Sequence, residues 1–322
     1  MSKILITGGS GFIGRYFVGK FPNQEVILFD IREPDYVSHA NYVMGDIRNV
    51  KDVESVMLGV ELVIHLAAMH HDFGIADAEY FDTNTKGTKI IADAAEKYKV
   101  KQIINFSSVA VYGNLGNPGP TSEETVPAPQ SAYGKSKLEA ESIFKNWATK
   151  TEGKLVIVRS TVVVGAWNLA NVLNLIKAID AGMYVHVGDG KSIKALAYVE
   201  NIVDAALFAL HKEETGICLF NYVDSPSLTN REIANMQASM LGKKIRIHVP
   251  LWLAVLMAMP FDLAIALSGK NMSISSKRVK KFCTQTNHGA FKIREMGFQS
   301  KVSIEDGMQK MIRWYLSTKK NL

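Results

Sequence analysis

A tyrosine and a lysine one helical turn apart form the clearest acid–base pair in the sequence. Tyr133 and Lys137 lie at the start of a predicted helix, and their i, i+4 spacing places both side chains on one face. A phenol has an ordinary pKa of about 10, but a neighbouring ammonium favours the phenolate. Ser108 follows a predicted strand earlier in the chain and can hydrogen-bond the same substrate oxygen. These residues predict proton transfer to and from a hydroxyl or carbonyl group.

A glycine-rich segment joins the first predicted strand to the first predicted helix. Gly8, Gly11 and Gly14 occur within residues 7–14, which read Thr-Gly-Gly-Ser-Gly-Phe-Ile-Gly. Glycine permits a tight turn and lets the backbone approach a pyrophosphate, while the helix N-terminus supplies free N–H groups and a positive dipole. Because the motif lies between a strand and a helix, it predicts dinucleotide binding.

Asp30 ends the second predicted strand and bears on the identity of the dinucleotide. A carboxylate at this place accepts hydrogen bonds from the ribose hydroxyls and repels a 2′-phosphate, which favours NAD over NADP. Arg32, two residues later, is the residue type that accommodates NADP. Asp46 follows in a loop that could reach the adenine edge, although a helix cap explains the same residue.

The elements that would position these residues alternate between short apolar runs and helical patterns. Strands are predicted at residues 3–7, 26–29, 62–66, 102–106 and 155–158, and helices at 14–20, 83–99 and 133–150. Continuous apolar strands separated by helices predict a parallel sheet covered on both faces. We therefore expect an α/β fold with a Rossmann-type doubly wound parallel sheet and a smaller C-terminal α/β substrate region.

The rhythm of strands and helices changes after residue 164, which predicts a second region. We expect a dinucleotide-binding domain at residues 1–166, to which the chain returns near 193–222. The predicted substrate-binding region comprises residues 167–192 and 223–322.

Composition excludes several classes of protein. Hydrophobic residues make up 47% of the 322 residues and charged residues 21%, which excludes a disordered or fibrous chain. The two cysteines, Cys218 and Cys283, exclude a disulfide scaffold or a cysteine-rich zinc module, so we expect a reducing compartment and no metal site. The first residues lack a signal-peptide pattern, and a cytoplasmic protein is expected.

Positive charge is concentrated at the C-terminal end. The net charge is +6, but residues 270–322 alone sum to +9. A basic segment of this kind either meets phosphate-bearing substrates or an anionic membrane, or is a solvated basic face. The chain has no basic motif interleaved with aromatic residues, so a nucleic-acid partner is not expected.

An apolar run at residues 249–268 precedes this basic segment. Its length approaches that of a membrane span, but Pro260 and Asp262 near its middle argue against one. We predict two short apolar helices broken at Pro260. They would either be buried in the core or lie in a membrane interface.

The order of these motifs resembles the extended short-chain dehydrogenase/reductase family, the NAD-dependent sugar epimerases and dehydratases. The resemblance covers about the first 210 residues. It implies NAD as cofactor, Ser108, Tyr133 and Lys137 as catalytic residues, and a homodimer through the helices near 84–99 and 133–150. The implied NAD contacts are Gly8, Gly11, Phe12, Ile13, Gly14, Asp30, Asp46, Ile47, Leu66, Ala67, Ala68, Asn84, Ser107, Tyr133, Lys137 and Thr161. The implied substrate contacts are His70, Ser108, Tyr133, Asn171 and Lys194.

Departures from the nucleotide-sugar pattern indicate a narrower branch. Residues 159–162 read Arg-Ser-Thr-Val, so the Asn expected in fourth place near a substrate diphosphate is absent. The second half instead resembles bacterial 4-epimerases that interconvert GlcNAc and GalNAc on undecaprenyl diphosphate. The matching segments are 171–176, 220–224, 250–253, 261–262 and 274–283.

The resemblance therefore implies an NAD-dependent 4-epimerase of an activated hexosamine, acting in surface polysaccharide synthesis. The sugar would be carried by undecaprenyl diphosphate or by UDP, and the enzyme would sit in the cytoplasm with peripheral contact to the inner face of the membrane. A 4-keto-sugar reductase on a nucleotide sugar and a non-catalytic NAD-binding protein are the alternatives. A dehydratase is disfavoured because Val109 and Ala110 replace its usual acid pair.

Overall fold

The structure is a computed structural model that describes residues 3–36, 38–70, 75–113, 119–212, 216–268 and 275–320. The strands are β1 (Lys3–Thr7), β2 (Glu25–Asp30), β3 (Asn41–Met44), β4 (Val60–His65), β5 (Gln102–Ser108), β6 (Lys154–Ser160), β7 (Val162–Val164), β8 (His186–Val187), β9 (Ile193–Lys194), β10 (Leu196–Tyr198), β11 (Ile217–Tyr222), β12 (Leu228–Thr229) and β13 (His248–Val249).

The α-helices are α1 (Phe12–Val18), α2 (Val50–Met57), α3 (Asp77–Tyr80), α4 (Thr88–Lys97), α5 (Ala132–Thr151), α6 (Asn171–Asp180), α7 (Val199–Lys212), α8 (Asn230–Met240), α9 (Leu251–Ser268), α10 (Ser276–Cys283), α11 (Phe291–Glu295) and α12 (Ile304–Thr318). A π-helical segment, Phe81–Gly87, joins α3 to α4, and a 3₁₀ turn, Val109–Tyr112, follows β5.

The chain divides into two compact units. The first unit consists of residues 1–161, 199–223 and 288–301, and the second consists of residues 162–198, 224–287 and 302–322. The first unit contains a seven-stranded sheet in the order β11-β6-β5-β4-β1-β2-β3, in which neighbouring strands are parallel. This order confirms the predicted Rossmann-type fold. From β1, strands β2 and β3 are added on one side, and β4 begins the other side of the sheet. Sheets of this type bind their ligands at the point between β1 and β4 where the strand order reverses.

Apolar strands form the centre of the first unit. Leu5, Val63, Ile103 and Leu155, from four neighbouring strands, are fully buried in one cluster. Strands covered on both faces need no polar alternation, which is why their sequences read as continuous Val/Ile/Leu runs. β3 has no such run, since its residues are half-buried or exposed, and the sequence prediction missed it.

The second unit is built from helices and short strand pairs. β10 pairs with β7 in parallel, β12 pairs with β9 in antiparallel, and β13 pairs with β8 in parallel. The predicted smaller α/β region is therefore present, although its strands are only two or three residues long.

The apolar run differs from its prediction in two ways. It forms one continuous helix, α9, with Pro260 inside it, where two short helices were expected. Proline removes a single N–H and leaves the Leu256 carbonyl without its usual donor, and the helix continues because good helix formers lie on both sides. Core burial was also wrong as an alternative, because Ala258 is the one residue of α9 that is buried.

Candidate active site

The glycine loop after β1 lies against the chain segment that follows β4. Gly8 has φ +67°, and a Cβ there would lie 2.6 Å from the backbone nitrogen of Ala67. A Cβ on Gly14 would lie 2.2 Å from the carbonyl oxygen of Gly9, so α1 can pack this closely only with glycine at position 14. Both residues are therefore required by close backbone approach at the reversal point of the sheet.

The start of α1 fits an anionic group. Gly11 is its N-cap and offers no side chain, whereas Ser131 caps α5 by accepting from the Gly134 N–H at 3.0 Å. The first N–H groups of a helix, here those of Phe12 and Ile13, have no intrahelical acceptor. An uncapped helix start beside bare glycine backbone suits the pyrophosphate of a dinucleotide.

The Asp30 carboxylate is held beside the glycine loop by backbone donors. It accepts a hydrogen bond from the Ser10 N–H at 3.1 Å and one from the Arg32 N–H at 3.3 Å. Burial raises the pKa of this carboxyl above its ordinary value, and the backbone donors oppose that effect. The arrangement fixes the side chain at the end of β2, where it was predicted to meet a ribose.

Asp46 and Ile47 have partners within the protein. Asp46 forms an ion pair with Arg48 at 2.6 Å, and hydrogen bonds from Arg48 lower the pKa of the carboxyl. Ile47 is buried, and a Cβ on Gly87 would lie 2.6 Å from its Cδ1 atom. The Ile47 side chain thus contributes to the core.

The end of β4 is pinned by a buried histidine. The Nδ1 atom of His65 lies 2.8 Å from the Thr7 hydroxyl, and its Nε2 atom lies 3.1 Å from the Thr88 hydroxyl. Burial lowers the pKa of His65 to about 3, so the ring is neutral near pH 7. The predicted contacts Leu66, Ala67 and Ala68 follow directly and are half-buried.

Asn84 joins this segment to α5. Its Oδ1 atom accepts from the Met69 N–H at 2.7 Å, and its Nδ2 atom donates to the Met69 carbonyl at 3.0 Å and to the Ser136 hydroxyl at 3.0 Å. The side chain is buried in the π-helical segment, a feature that often occurs at functional sites. Its amide hydrogen-bonds to other residues of the protein, which makes it a clamp between the segment that follows β4 and α5.

Gly134 brings the start of α5 against the turn that begins at Ser108. A Cβ on Gly134 would lie 2.5 Å from the Ala110 carbonyl oxygen, and the Ser108 hydroxyl accepts from the Ala110 N–H at 3.2 Å. Tyr133 directly precedes this glycine, and its ring centre lies 6.0 Å from that of Tyr80. The structure thereby brings the elements of Ser108 and Tyr133 together. Tyr80 was not identified from the sequence.

Lys137 is a buried cation. It is 3% exposed, and its Nζ atom has no hydrogen-bond acceptor among the residues that the structure describes. Burial lowers the pKa of the ammonium to about 8, and the carboxylate of Glu141 opposes that effect. A buried ammonium normally has hydrogen-bond partners, so this one fits a bound ribose or phenolate as the missing acceptor.

A buried polar network lies behind this helix. Glu141 accepts from the Ser107 hydroxyl at 2.6 Å and pairs with Arg159. Arg159 also donates to the Tyr112 hydroxyl at 2.8 Å, which in turn donates to Asn221 at 2.7 Å. Sequence reasoning missed Glu141, although its i+4 spacing from Lys137 was a usable signal. Ser107, a predicted NAD contact, takes part in this network.

The remaining predicted residues lie elsewhere. Thr161 donates to the Tyr222 carbonyl at 3.0 Å, and His70 is exposed in the segment that follows β4. Asn171 is the exposed first residue of α6 in the second unit. In the same unit, the Lys194 ammonium donates to the Thr284 carbonyl, and burial lowers its pKa to about 8. Within the described ranges, no cluster of His, Cys, Asp or Glu could hold a metal ion.

Comparison with known proteins identifies relatives of this chain. The profile of the NAD dependent epimerase/dehydratase family matches residues 4–221. The N-acetyl-alpha-D-glucosaminyl-diphospho-ditrans,octacis-undecaprenol 4-epimerase of Escherichia coli O157:H7 is 36% identical over 321 residues, covering 97% of this chain and 95% of the relative. The UDP-glucose 4-epimerase of Vibrio cholerae is 28% identical over 266 residues, covering 78% of this chain and 79% of the relative.

Solved structures agree on the fold. The UDP-glucose 4-epimerase of Thermotoga maritima, determined with UDP-glucose, aligns with a TM-score of 0.80 at 23% identity, covering 98% of this chain and 99% of the other. At that identity the likeness concerns the fold. It supports the seven-stranded Rossmann-type architecture described above.

Proposed function

The chain belongs to the NAD-dependent epimerase/dehydratase family, and on that premise we propose that it is a 4-epimerase of an N-acetylhexosamine carried by undecaprenyl diphosphate. The observation that carries the proposal is the 36% identity with the undecaprenol-linked 4-epimerase, because the match covers 97% of this chain and so includes its second unit. The relative that acts on UDP-glucose covers only 78% of it.

The proposed chemistry uses the three residues predicted at the outset. Tyr133, as the phenolate, removes the proton of the sugar's 4-hydroxyl and later returns it. Lys137 favours the phenolate because it is a buried cation on the same helix face. Ser108 donates a hydrogen bond to the same sugar oxygen. When bound, NAD would supply the hydride chemistry at carbon 4, and the glycine loop at residues 8–14 together with Asp30 would hold it.

The segment 159–162 supports a carrier other than a nucleotide through its last residue. The Arg159 guanidinium at its start is buried and bound to Glu141 and Tyr112, so it serves the protein's own packing. Val162 stands where nucleotide-sugar relatives are expected to place an amide, and its side chain has no polar atom. The absence of that amide removes a polar contact expected near a nucleoside diphosphate.

The cellular setting forms part of the proposal. An undecaprenyl carrier implies action at the cytoplasmic face of the membrane, in surface polysaccharide synthesis, with peripheral contact to anionic lipid. A homodimer through α4 and α5 is proposed from the family resemblance alone. Light scattering of the purified protein tests it, and a monomer at working concentration would contradict it.

The deciding experiment offers purified protein two substrates, polyprenyl-diphosphate-GlcNAc and UDP-GlcNAc. We expect GalNAc to be released by mild acid from the lipid-linked substrate, without net consumption of NADH. The Tyr133→Phe variant is the matched control, and it should bind NAD while turning over at least about 100-fold more slowly. Product formed only with stoichiometric loss of NADH would instead identify a reductase, and turnover of UDP-GlcNAc alone would refute the lipid carrier.

A further inference from the structure

Helix α9 presents apolar side chains to solvent around most of its surface. Only Ala258 is buried, while Trp252, Leu256, Met257, Met259, Leu263 and Leu267 are between 54% and 80% exposed. It is also the one helix in the described ranges that is long and apolar enough to cross a membrane. A helix that is apolar on all sides is normally covered by a protein core or by lipid. In the described part of the chain, one face of α9 is half-buried and most of its remaining surface is exposed.

A basic helix is attached to the middle of α9. The Ser276 N–H, in the first turn of α10, donates to the Asp262 carboxylate at 3.0 Å. α10 carries Lys277, Arg278, Lys280 and Lys281 and has no acidic residue. Lys277 and Lys280 are exposed and lie on one face because they are three residues apart. An apolar surface is thus bordered by concentrated positive charge, the complement of an anionic bilayer.

The attachment point decides between spanning and lying flat. At about 1.5 Å per residue, α9 is roughly 27 Å long, close to the roughly 30 Å of a hydrocarbon core. If α9 spanned, Asp262 and the start of α10 would lie near the centre of the bilayer, where charges are strongly disfavoured. If α9 lies in the membrane plane, Asp262 and the α10 cations stay among the headgroups.

We propose that α9 lies flat in the headgroup layer of an anionic membrane, with the cations of α10 bound to lipid phosphates beside it. This surface deepens the proposed function, on which it rests, by placing the enzyme where an undecaprenyl-linked sugar is held. It also gives Trp252 a physical role, since tryptophan favours the boundary between headgroups and hydrocarbon.

Sedimentation with vesicles tests the surface directly. We expect binding to vesicles of phosphatidylglycerol and phosphatidylcholine, little binding to phosphatidylcholine alone, and release at high salt. Lys277→Gln with Lys280→Gln should weaken binding about 30-fold, since each cation near an anionic surface contributes roughly fivefold. Lys51→Gln with Lys101→Gln removes the same charge from exposed positions of the first unit and should leave binding unchanged. An equal loss of vesicle binding in the two double variants, or no vesicle binding by the wild type, would overturn the proposal.

Trp252 fluorescence then reports the orientation of the helix. A blue shift on binding should disappear in Trp252→Phe and should weaken in Leu256→Ser with Leu263→Ser. In the Trp252→Phe background, Met259→Trp places a reporter near the middle of α9. A flat helix predicts quenching by lipids brominated near the headgroup. Stronger quenching by lipids brominated at the chain ends would show a spanning helix and contradict the proposal.

Activity separates this inference from the proposed function. The Lys277→Gln, Lys280→Gln variant should turn over a short-chain, water-soluble prenyl-diphosphate-GlcNAc like the wild type, and a vesicle-embedded substrate more slowly. Epimerisation without vesicle binding would refute the surface and leave the function standing. Vesicle binding without epimerisation would refute the proposed function and leave the membrane-binding surface standing. Loss of self-association in the α9 variants, with no lipid binding by the wild type, would assign the surface to a second copy of the chain.

Discussion

Arg159 and Glu141 form a buried two-point ion pair, in which Nε donates to Oε1 at 2.9 Å and Nη2 donates to Oε2 at 2.7 Å. Glu141 lies on α5 one turn after Lys137, and Arg159 lies on β6. The pair therefore fixes the helix that carries Tyr133 and Lys137 to the strand beside it. Its two parallel hydrogen bonds also set the orientation of the helix, which a purely apolar contact would leave freer.

Breaking one side of this pair should destabilise the protein strongly. Glu141→Gln leaves the buried guanidinium without its counter-charge, and we expect a loss of about 3–5 kcal/mol in the free energy of unfolding. Urea denaturation measures it. The double variant Glu141→Leu, Arg159→Met removes both charges and should recover much of the loss. A single variant as stable as wild type would show that the pair does not hold α5.

The buried ammonium of Lys137 should make stability depend on pH. Its pKa is about 8 in the folded protein and about 10.4 in an unfolded chain. The unfolded chain binds the proton more tightly, so the free energy of unfolding should rise as pH increases from about 8 to about 10.4. Below pH 8 the folded protein bears the full cost of the buried charge.

Comparison with Lys137→Met isolates this dependence. Across that pH window, the nucleotide-free wild type should gain about 3 kcal/mol relative to the variant, and the variant should be the more stable protein at pH 7. Lys135→Met, at an exposed position two residues earlier, should follow the wild type. Parallel curves for wild type and Lys137→Met would mean that the ammonium is not buried.

Gly134 should not tolerate even one added methyl group. The Cβ of Gly134→Ala would lie 2.5 Å from the Ala110 carbonyl, so the start of α5 must move away from the turn after Ser108. We expect a cost of about 1–3 kcal/mol in stability and a larger fall in kcat than in NAD affinity. Gly19→Ala is the control, because its nearest contact is 3.8 Å away and its backbone is helical. Unchanged kcat in Gly134→Ala would contradict the close approach.

Asp30 should set the preference for NAD. Asp30→Ala removes a charged acceptor of ribose hydroxyls, which should weaken NAD binding roughly 10- to 100-fold, and it removes the charge that repels a 2′-phosphate. The ratio of the two dissociation constants, measured by titration with NAD and with NADP, reports the change independently of any general weakening. A wild type that binds both cofactors equally would disprove this role.

Much of this structure was predictable from local patterns in the amino-acid sequence. The central strands were predictable because burial on both faces requires unbroken apolar runs. The turn between β1 and α1 and the helix that carries Tyr133 and Lys137 were predictable because their signals are local. The Glu141–Arg159 pair was not, since it joins a helix to the following strand through packing. The path of α9 through Pro260 was not predictable either, because a proline weakens a helix without always ending it.

The Asn84 clamp restricts how this part of the sequence can change over evolution. A single amide accepts once and donates twice, to Met69 and to Ser136. Aspartate keeps the length but loses the donors, and glutamine keeps the donors but adds a carbon in a buried site. We therefore expect any single replacement of Asn84 to lose at least one contact with the segment after β4 or with α5, and so to cost stability whichever sugar the enzyme acts on.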